Sequence, residues 1–140
     1  MKVLVDTSVW SLALRRKRQG ASLEIEELRN LISDRRVQII GPIRQELLSG
    51  VKDEAQCGRL ERHLAAFPDL PITTRDYVTA AHFFNRCRAK GIQGSNTDFL
   101  MCAVAVRQRL AIFTTDKDFG LFAKRLPIIL HETREFEQEN

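Results

Sequence analysis

The sequence predicts an α/β protein with a parallel sheet of about five strands and helices on both faces. Short apolar segments alternate along the chain with longer segments in which apolar residues recur at helical spacing. This alternation is typical of parallel strands joined by helical crossovers. The segment Val3–Val5 is apolar without interruption, as expected for a strand buried on both faces, and we predict that it is a central strand.

Four further short strands are predicted in chain order. They cover residues 37–40, 70–73, 111–114 and 128–130. The strand at 37–40 is ended by Gly41-Pro42, and the one at 70–73 lies in a loop marked by Pro68 and Pro71.

Helices are predicted between and around these strands. They cover residues 8–18, 22–36, 42–50, 53–67, 73–90, 95–109 and 119–126. Ser22 is a predicted helix cap, and Thr73 with Asp76 matches a capping box. The buried residues predicted for the helix after Thr73 are Tyr77, Val78, Ala81, Phe84 and Cys87. The helix at 95–109 is apolar all round in its middle, so we expect it to pack centrally against the sheet.

Composition predicts one globular domain over residues 1–140. Hydrophobic residues make up 44% and charged residues 29% of the chain, which excludes a disordered protein. The three cysteines form no Cys-x-x-Cys pair, so neither a disulfide framework nor a zinc ribbon is indicated and a cytoplasmic location is expected. The net charge of +4 favours a polyanionic partner only weakly.

No membrane association or targeting signal is predicted. The longest apolar run, at 99–106, is far shorter than the roughly 20 residues of a membrane span. Asp6 interrupts the apolar start, and the basic run at 15–18 follows it instead of preceding it. The acidic tail at 132–140 is expected to fray.

Acidic residues fall at the ends of predicted strands and at the start of a predicted helix. Asp6 follows the first strand, and Asp116 with Asp118 follows the fourth. Asp98 begins the apolar helix, and Glu46 lies on the edge of the apolar face of its helix. If the first and fourth strands are neighbours at a topological switch point, these acids meet in one crevice at the carboxyl ends of the strands.

Each acid also has a structural interpretation. Asp98 can complete a capping box with Ser95, and Asp118 can cap the last helix. Glu46 is solvent-exposed if the helix is rotated slightly. Asp6 can be only a cap of the first helix, and Thr7 and Ser8 after it can also cap that helix.

Several carboxylates in one pocket require a cation. Two like charges about 4 Å apart repel by roughly 4 kcal/mol at an effective dielectric constant near 20. A set of oxygen ligands without cysteine or histidine points to Mg²⁺ or Mn²⁺. Such an ion can activate water and stabilise the charge that develops on a phosphate, which is the chemistry of nucleases and phosphatases.

The pattern of motifs closely resembles the PIN domain, and within it the VapC toxins of bacterial toxin–antitoxin pairs. The motifs are Asp6-Thr7-Ser8-Val9-Trp10, Arg44-Gln45-Glu46-Leu47, Asp98 at the head of an apolar helix, and Thr114-x-Asp116-x-Asp118-Phe119. The resemblance extends over essentially the whole chain. It implies a PIN-like fold, Mg²⁺- or Mn²⁺-dependent endoribonuclease activity on tRNA or rRNA, a homodimer, and inhibition by a VapB-type antitoxin.

By this resemblance, the acidic quartet consists of Asp6, Glu46, Asp98 and Asp116, and Asp118 is an accessory acid. We expect Asp6, Asp98 and Asp116 to hold the metal, directly or through water, and Glu46 to help hold it or to orient the attacking water. The basic residues expected to bind the RNA backbone are Arg15, Arg16 and Lys17.

Other functions fit the sequence less well. A metal-independent ribonuclease needs two groups, usually histidines, within reach of one phosphate. His63, His82 and His131 share no motif; we expect His82 to be packed in its helix and the other two to lie on the surface. The aspartate pair that a receiver domain carries after its first strand is missing from this sequence. Asp116-Lys117-Asp118 lies too far along the chain to be the nucleophile motif of a haloacid-dehalogenase-type phosphatase. The main alternative is a catalytically silent PIN-like module that binds RNA or protein.

Overall fold

The computed structural model describes residues 1–15 and 22–134, except for the side chain of Arg15. In this part of the chain, four strands form one parallel sheet in the order β2-β1-β3-β4. The strands are β1 (Val3–Val5), β2 (Val37–Gln38), β3 (Ala111–Phe113) and β4 (Ile129–Leu130). The helices are α1 (Thr7–Arg15), α2 (Leu23–Ser33), α3 (Gly41–Ser49), α4 (Glu54–Leu64), α5 (Thr74–Arg88), α6 (Asn96–Gln108) and α7 (Asp118–Ala123).

Strands β1 and β3 form the buried centre of the sheet. Every residue of both strands is buried, as predicted for β1 from its uninterrupted apolar sequence. Val5 pairs with Phe113, and the amide of Asp6 donates to the carbonyl of Phe113 at 2.8 Å. The two strands therefore end side by side.

The strand order reverses direction at β1. The chain passes from β1 to β2 on one side and then returns to β3 on the other side. Because parallel crossovers are almost always right-handed, this reversal places the connecting helices on opposite faces and opens a crevice at the carboxyl ends of β1 and β3. The predicted α/β class with helices on both faces is confirmed.

The sheet has four strands where about five were predicted. The predicted strand at 70–73 is absent from the described structure, and a single bridge pairs Ile39 with Asp69 instead. The amide of Leu70 donates to the carbonyl of Ile39 at 2.9 Å. The ladder ends there because its partner leaves the sheet, since α3 begins at Gly41, two residues after Ile39.

The predicted starts of three helices are confirmed, whereas α2, α4 and α7 each end three residues earlier than predicted. Ser22 caps α2 by accepting from the amide of Ile25, and Pro42 lies in the first turn of α3. Thr73 and Asp76 form the predicted capping box at the start of α5.

The predicted buried face of α5 is wrong by about one residue. Cys87 is buried as predicted, but the other buried side chains are Asp76, Ala80 and Phe83, whereas Tyr77 is 57% and Val78 41% exposed.

The observed face of α5 differs from the predicted one because an ion pair with α6 stabilises a different orientation of the helix. Nε and Nη2 of Arg107 donate to the two carboxylate oxygens of Asp76 at 2.6 and 2.8 Å. These hydrogen bonds hold the pKa of Asp76 below its ordinary value, although burial of the carboxylate opposes the shift. A paired acid can therefore occupy the buried face, and the apolar residues next to it turn outward.

A second buried acid, Glu27 of α2, holds the segment that follows β4. Its carboxylate accepts from Nη2 of Arg134 at 2.6 Å, from the amide of Arg134 at 2.7 Å, and lies 3.2 Å from Nε2 of His131. Residues 131–134 are therefore attached to the protein, whereas the tail was expected to fray from residue 132; residues 135–140 lie outside the described part.

Two of the three histidine predictions are also wrong. The His131 side chain is only 11% exposed because it packs between Glu27 and Phe113. His82 lies on the exposed side of α5, since the helix is rotated from its predicted face, and His63 is exposed as expected.

Candidate active site

Asp6 lies at the carboxyl end of β1 and is 8% exposed. Its Oδ2 atom accepts hydrogen bonds from the hydroxyls of Ser8 and Thr114, both at 2.8 Å. In the described part of the chain, both side-chain hydrogen bonds to this carboxylate fall on Oδ2, which leaves Oδ1 available to a ligand. Asp6 is thus a buried carboxyl group held in one orientation by hydroxyl groups that follow two neighbouring strands.

The loop after β3 is fastened to the loop after β1. The amide of Thr115 donates to Oγ of Ser8 at 3.1 Å, and the amide of Asp116 donates to Oγ1 of Thr114 at 3.0 Å. Oδ1 of Asp116 accepts from the amide of Asp118 at 2.9 Å. The two strand ends therefore form one hydrogen-bonded rim, with Asp116 exposed on it.

Asp98 reaches the same crevice from the start of α6. It forms the predicted capping box, in which its amide donates to Oγ of Ser95 at 3.0 Å and its Oδ2 accepts from the amide of Ser95 at 2.9 Å. Burial raises the pKa of Asp98, and repulsion from Asp6 and Asp116 raises it further, while the Ser95 hydrogen bonds oppose the shift. The side chain of Asp98 therefore both caps α6 and interacts electrostatically with Asp6 and Asp116.

Glu46 approaches the crevice from α3. It is exposed, contrary to the sequence expectation that it leans toward the core, and its Oε2 accepts from Oγ1 of Thr7 at 2.9 Å. Because Thr7 directly follows Asp6, this hydrogen bond places Glu46 at the mouth of the acidic site. Asp118 is exposed in the first turn of α7, beside Asp116.

Three hydroxyl residues were not predicted to belong to this site. Thr7 and Ser8 were expected to cap α1, but their side chains contact Glu46 and Asp6 instead. Thr114 supplies the second hydroxyl on Asp6. The sequence does contain a signal for these residues, since hydroxyl residues lie close to the acid that follows each central strand. A buried carboxylate needs hydrogen-bond donors close by.

The three basic residues predicted to bind RNA are not placed by the described structure. Arg15 ends α1, but its side chain lies outside the description, as do Arg16 and Lys17 entirely. Lys117, next to Asp116, is an exposed cation on the described rim.

The donor chemistry of the crevice fits a hard divalent cation. Asp6, Asp98 and Asp116 offer carboxylate oxygens, and the negative charges of Asp6 and Asp116 add to burial in raising the pKa of Asp98. Within residues 1–15 and 22–134, however, no three His, Cys, Asp or Glu side chains converge closely enough to form the shell of one ion. Mg²⁺ commonly keeps several waters and binds protein through one or two carboxylates, so this spacing is compatible with partly water-mediated ligands.

The fold and the site define an α/β protein with an acidic crevice at the switch point of a parallel sheet. The chain belongs to the PIN domain family, whose model matches residues 3–125. It is 32% identical over 126 residues to Ribonuclease VapC11 of Mycobacterium tuberculosis and to VapC ribonuclease Mb1587 of Mycobacterium bovis. Each alignment covers 87% of this chain and 92% of the relative.

Solved structures share the fold. FitAcB from Neisseria gonorrhoeae has a TM-score of 0.74 and 20% sequence identity, over 94% of this chain and 97% of that one. VapBC2 from Rickettsia felis, bound to a DNA fragment from its promoter, has a TM-score of 0.73 and 18% identity, over 94% and 98%. The predicted PIN-like fold is therefore confirmed. No helix in the described residues is long and apolar enough to span a membrane.

Proposed function

We propose that this protein is a Mg²⁺- or Mn²⁺-dependent endoribonuclease and the toxin of a type II toxin–antitoxin pair. The observation that carries the proposal is the junction of the β1 and β3 ends, where the hydroxyls of Ser8 and Thr114 both donate to Asp6 and Thr114 also accepts from the amide of Asp116. Asp98 lies close enough to Asp6 and Asp116 for their charges to add to burial in raising its pKa. The 32% identity to VapC ribonucleases over most of the chain supports the ribonuclease class.

Each residue of the site has a distinct role in this proposal. Asp6, Asp98 and Asp116 hold the ion, with Asp6 oriented by its two hydroxyl donors. Glu46, positioned by Thr7, orients the attacking water and accepts its proton. Asp118 fixes the carboxylate of Asp116 through its backbone amide.

The bound cation would supply Lewis-acid activation of water and would stabilise the charge on the phosphate oxygens. Attack by water on the phosphorus breaks the bond to the 3′-oxygen of the preceding nucleotide. The products then carry a 5′-phosphate and a 3′-hydroxyl. We propose tRNA or an rRNA loop as the substrate, because unstacked single-stranded bases are the ones that proteins read in RNA.

The wide spacing of the acids favours one alternative, a catalytically silent PIN-like module. The repulsion at Asp98 argues against it, because an RNA-binding module gains nothing from clustered acids facing a phosphate backbone. Metal-dependent turnover separates these two functions.

The partners follow from the same assignment. Solved relatives of this fold include VapB–VapC complexes, among them VapBC2 of Rickettsia felis, and we propose a VapB-type antitoxin for this chain. We also propose a homodimer and a cytoplasmic location, where both RNA and such an antitoxin are found.

The decisive experiment is cleavage of total bacterial RNA by the purified protein with Mg²⁺ or Mn²⁺, beside an EDTA control and an Asp98→Asn variant. The substitution preserves shape and a capping oxygen but removes the charge. We expect the variant to lose activity by about 100-fold or more. Isothermal titration with Mg²⁺ gives a readout independent of turnover, and the variant should bind the ion more weakly.

If wild-type protein and Asp98→Asn cleave RNA equally, or if EDTA has no effect, the metal-nuclease proposal is wrong. If neither protein cleaves RNA while both bind it, the silent module is the better assignment. Sequencing of the fragment ends identifies the RNA and the cleaved bond.

A further inference from the structure

A second cavity adjoins the acidic crevice on the side of β4. It has a volume of about 440 Å³ and lies between the carboxyl ends of β3 and β4. Its lining includes Thr114, Asp116, Lys117, Gly120 and His131. This volume lies within the range of about 300–1,000 Å³ that is usual for small-molecule sites.

We propose that this cavity binds the nucleotide next to the cleaved bond of a single-stranded RNA. The inference rests on the proposed ribonuclease function and adds a substrate subsite to it. Asp116 belongs both to the acidic crevice and to the cavity wall, so a chain held at the crevice has a neighbouring nucleotide at the cavity. An unstacked base of single-stranded RNA can enter such a cavity, whereas a paired base cannot.

The lining offers groups of each kind that a ribonucleotide needs, and it also includes a second carboxylate, that of Glu132. Lys117 is an exposed cation that can pair with a backbone phosphate beside the repelling Asp116. The floor of the cavity includes Ile112 and Leu130, which offer apolar surface to the face of a base.

His131 presents a defined hydrogen-bonding group in this cavity. Its Nε2 lies 3.2 Å from Oε2 of Glu27, and the ring packs edge-on against Phe113 with centroids 5.4 Å apart. Hydrogen bonds from Arg134 and His131 outweigh the effect of burial and lower the pKa of Glu27 to about 2, so this carboxylate is an acceptor only. Nε2 therefore donates to Glu27, and Nδ1 is the ring nitrogen left to hydrogen-bond with a ribose 2′-hydroxyl, which can both donate and accept.

Gly120 allows the cavity to be filled without a steric clash in the fold. A Cβ atom added there meets nothing within 4 Å, and the residue lies in α7 with no positive φ. Gly58 of α4 is a matched control, because it is also helical and an added Cβ meets only Nη1 of Arg62, at 3.5 Å. Gly58 does not line this cavity.

The test measures binding of a fluorescein-labelled single-stranded 10-nucleotide RNA of mixed sequence by anisotropy with Mg²⁺ present. Every protein carries Asp98→Asn to prevent cleavage. We expect Gly120→Met to weaken binding by about tenfold and Gly58→Met by less than about twofold. Lys117→Met should weaken binding and reduce the slope of log Kd against log salt by about one. Thermal melting confirms that each variant is folded.

Two further results bear on the proposal. His131→Phe keeps an aromatic ring but removes both ring nitrogens, so we expect it to reduce the preference for RNA over DNA of the same length. If Gly120→Met and Lys117→Met both bind RNA like the parent protein, the cavity is not a subsite. Because binding is read without turnover, this outcome is distinct from failure of the ribonuclease proposal, which is judged by cleavage with wild-type protein.

Discussion

Oγ1 of Thr7 donates a hydrogen bond to Oε2 of Glu46 at 2.9 Å and connects residues 39 positions apart in the chain. Glu46 is exposed, and an exposed glutamate otherwise samples several rotamers. Thr7 directly follows the buried Asp6. The hydrogen bond therefore connects the exposed Glu46 to the residue beside the buried Asp6.

We expect Thr7→Ala to lower kcat by between about 10- and 100-fold, because Glu46 loses its orientation toward the attacking water. Thr7→Ser keeps the hydroxyl and should retain most of the activity. Cleavage of a labelled RNA gives kcat, and thermal melting checks that stability is unchanged. Equal activity in the alanine and wild-type proteins would show that Thr7 does not position Glu46.

Asp98→Asn should raise the melting temperature at pH 7 in EDTA. The pKa of Asp98 is raised in the folded protein by burial and by its acidic neighbours, so its ionised form costs stability at neutral pH. This cost falls as the pH drops toward the ordinary pKa of an aspartate. The difference in melting temperature between the variant and wild type should therefore become smaller at low pH. Adding Mg²⁺ should stabilise wild-type protein more than the variant, because an ion bound only by the folded state raises its stability. If the variant is less stable than wild type in EDTA at pH 7, the ionised Asp98 carboxylate does not destabilise the folded protein, and this prediction is wrong.

Glu27→Gln should destabilise the protein by about 3 kcal/mol at pH 7 and lower the melting temperature by roughly 10 °C. Burial alone would raise the pKa of Glu27, but hydrogen bonds from Arg134 and His131 lower it from 4.5 to about 2. A depressed pKa means that the stabilisation is complete above pH 4.5 and is lost as the pH falls toward 2. The difference in the free energy of unfolding between the variant and wild type, measured with urea, should therefore become smaller as the pH falls from 4.5 toward 2.

The exposed neighbour Glu26 provides the control for this measurement. Glu26→Gln should change the free energy of unfolding by no more than about 0.5 kcal/mol at any pH. A similar loss in both variants would indicate a general charge effect on α2 and not the buried ion pair.

Gly94→Ala should destabilise the protein by about 1–3 kcal/mol. An added Cβ would lie 2.6 Å from Cζ of Phe122 and 2.9 Å from Cε2 of Phe99. These rings pack with centroids 4.8 Å apart and hold the chain just before the cap of α6, so the strain should also displace Asp98. Gly120→Ala, where the added atom meets nothing within 4 Å, should be neutral or stabilising by up to about 1 kcal/mol in urea unfolding.

Local signals in the sequence predicted much of the fold. The uninterrupted apolar run of β1, the cap Ser22 and the capping boxes at Thr73 and Ser95 depend on residues close together in the chain, and all four features are present. The predicted strand at 70–73 was wrong because pairing also requires an extended neighbour, and the chain beside it enters α3 at Gly41.

The buried ion pairs could not be predicted in the same way. Asp76 and Glu27 lie next to ordinary helical residues, and nothing nearby indicates that each acid is buried. Their partners, Arg107 and Arg134, are 31 and 107 residues away in the chain. The face that α5 buries and the attachment of the C-terminal segment depend on these distant partners, because an acid is buried only where a cation can reach it.

The sequence by itself determined the α/β class, the order of the elements and the identity of the acids, because strand and helix signals are local and carboxylates at strand ends are visible in the chain. Only the tertiary structure decided which groups meet. Strand pairing joins Ser8 and Thr114 to Asp6, helix packing brings Thr7 to Glu46, and the cavity beside Asp116 exists only where β4 lies next to β3. Such contacts depend on the path of the whole backbone, which no short stretch of sequence encodes.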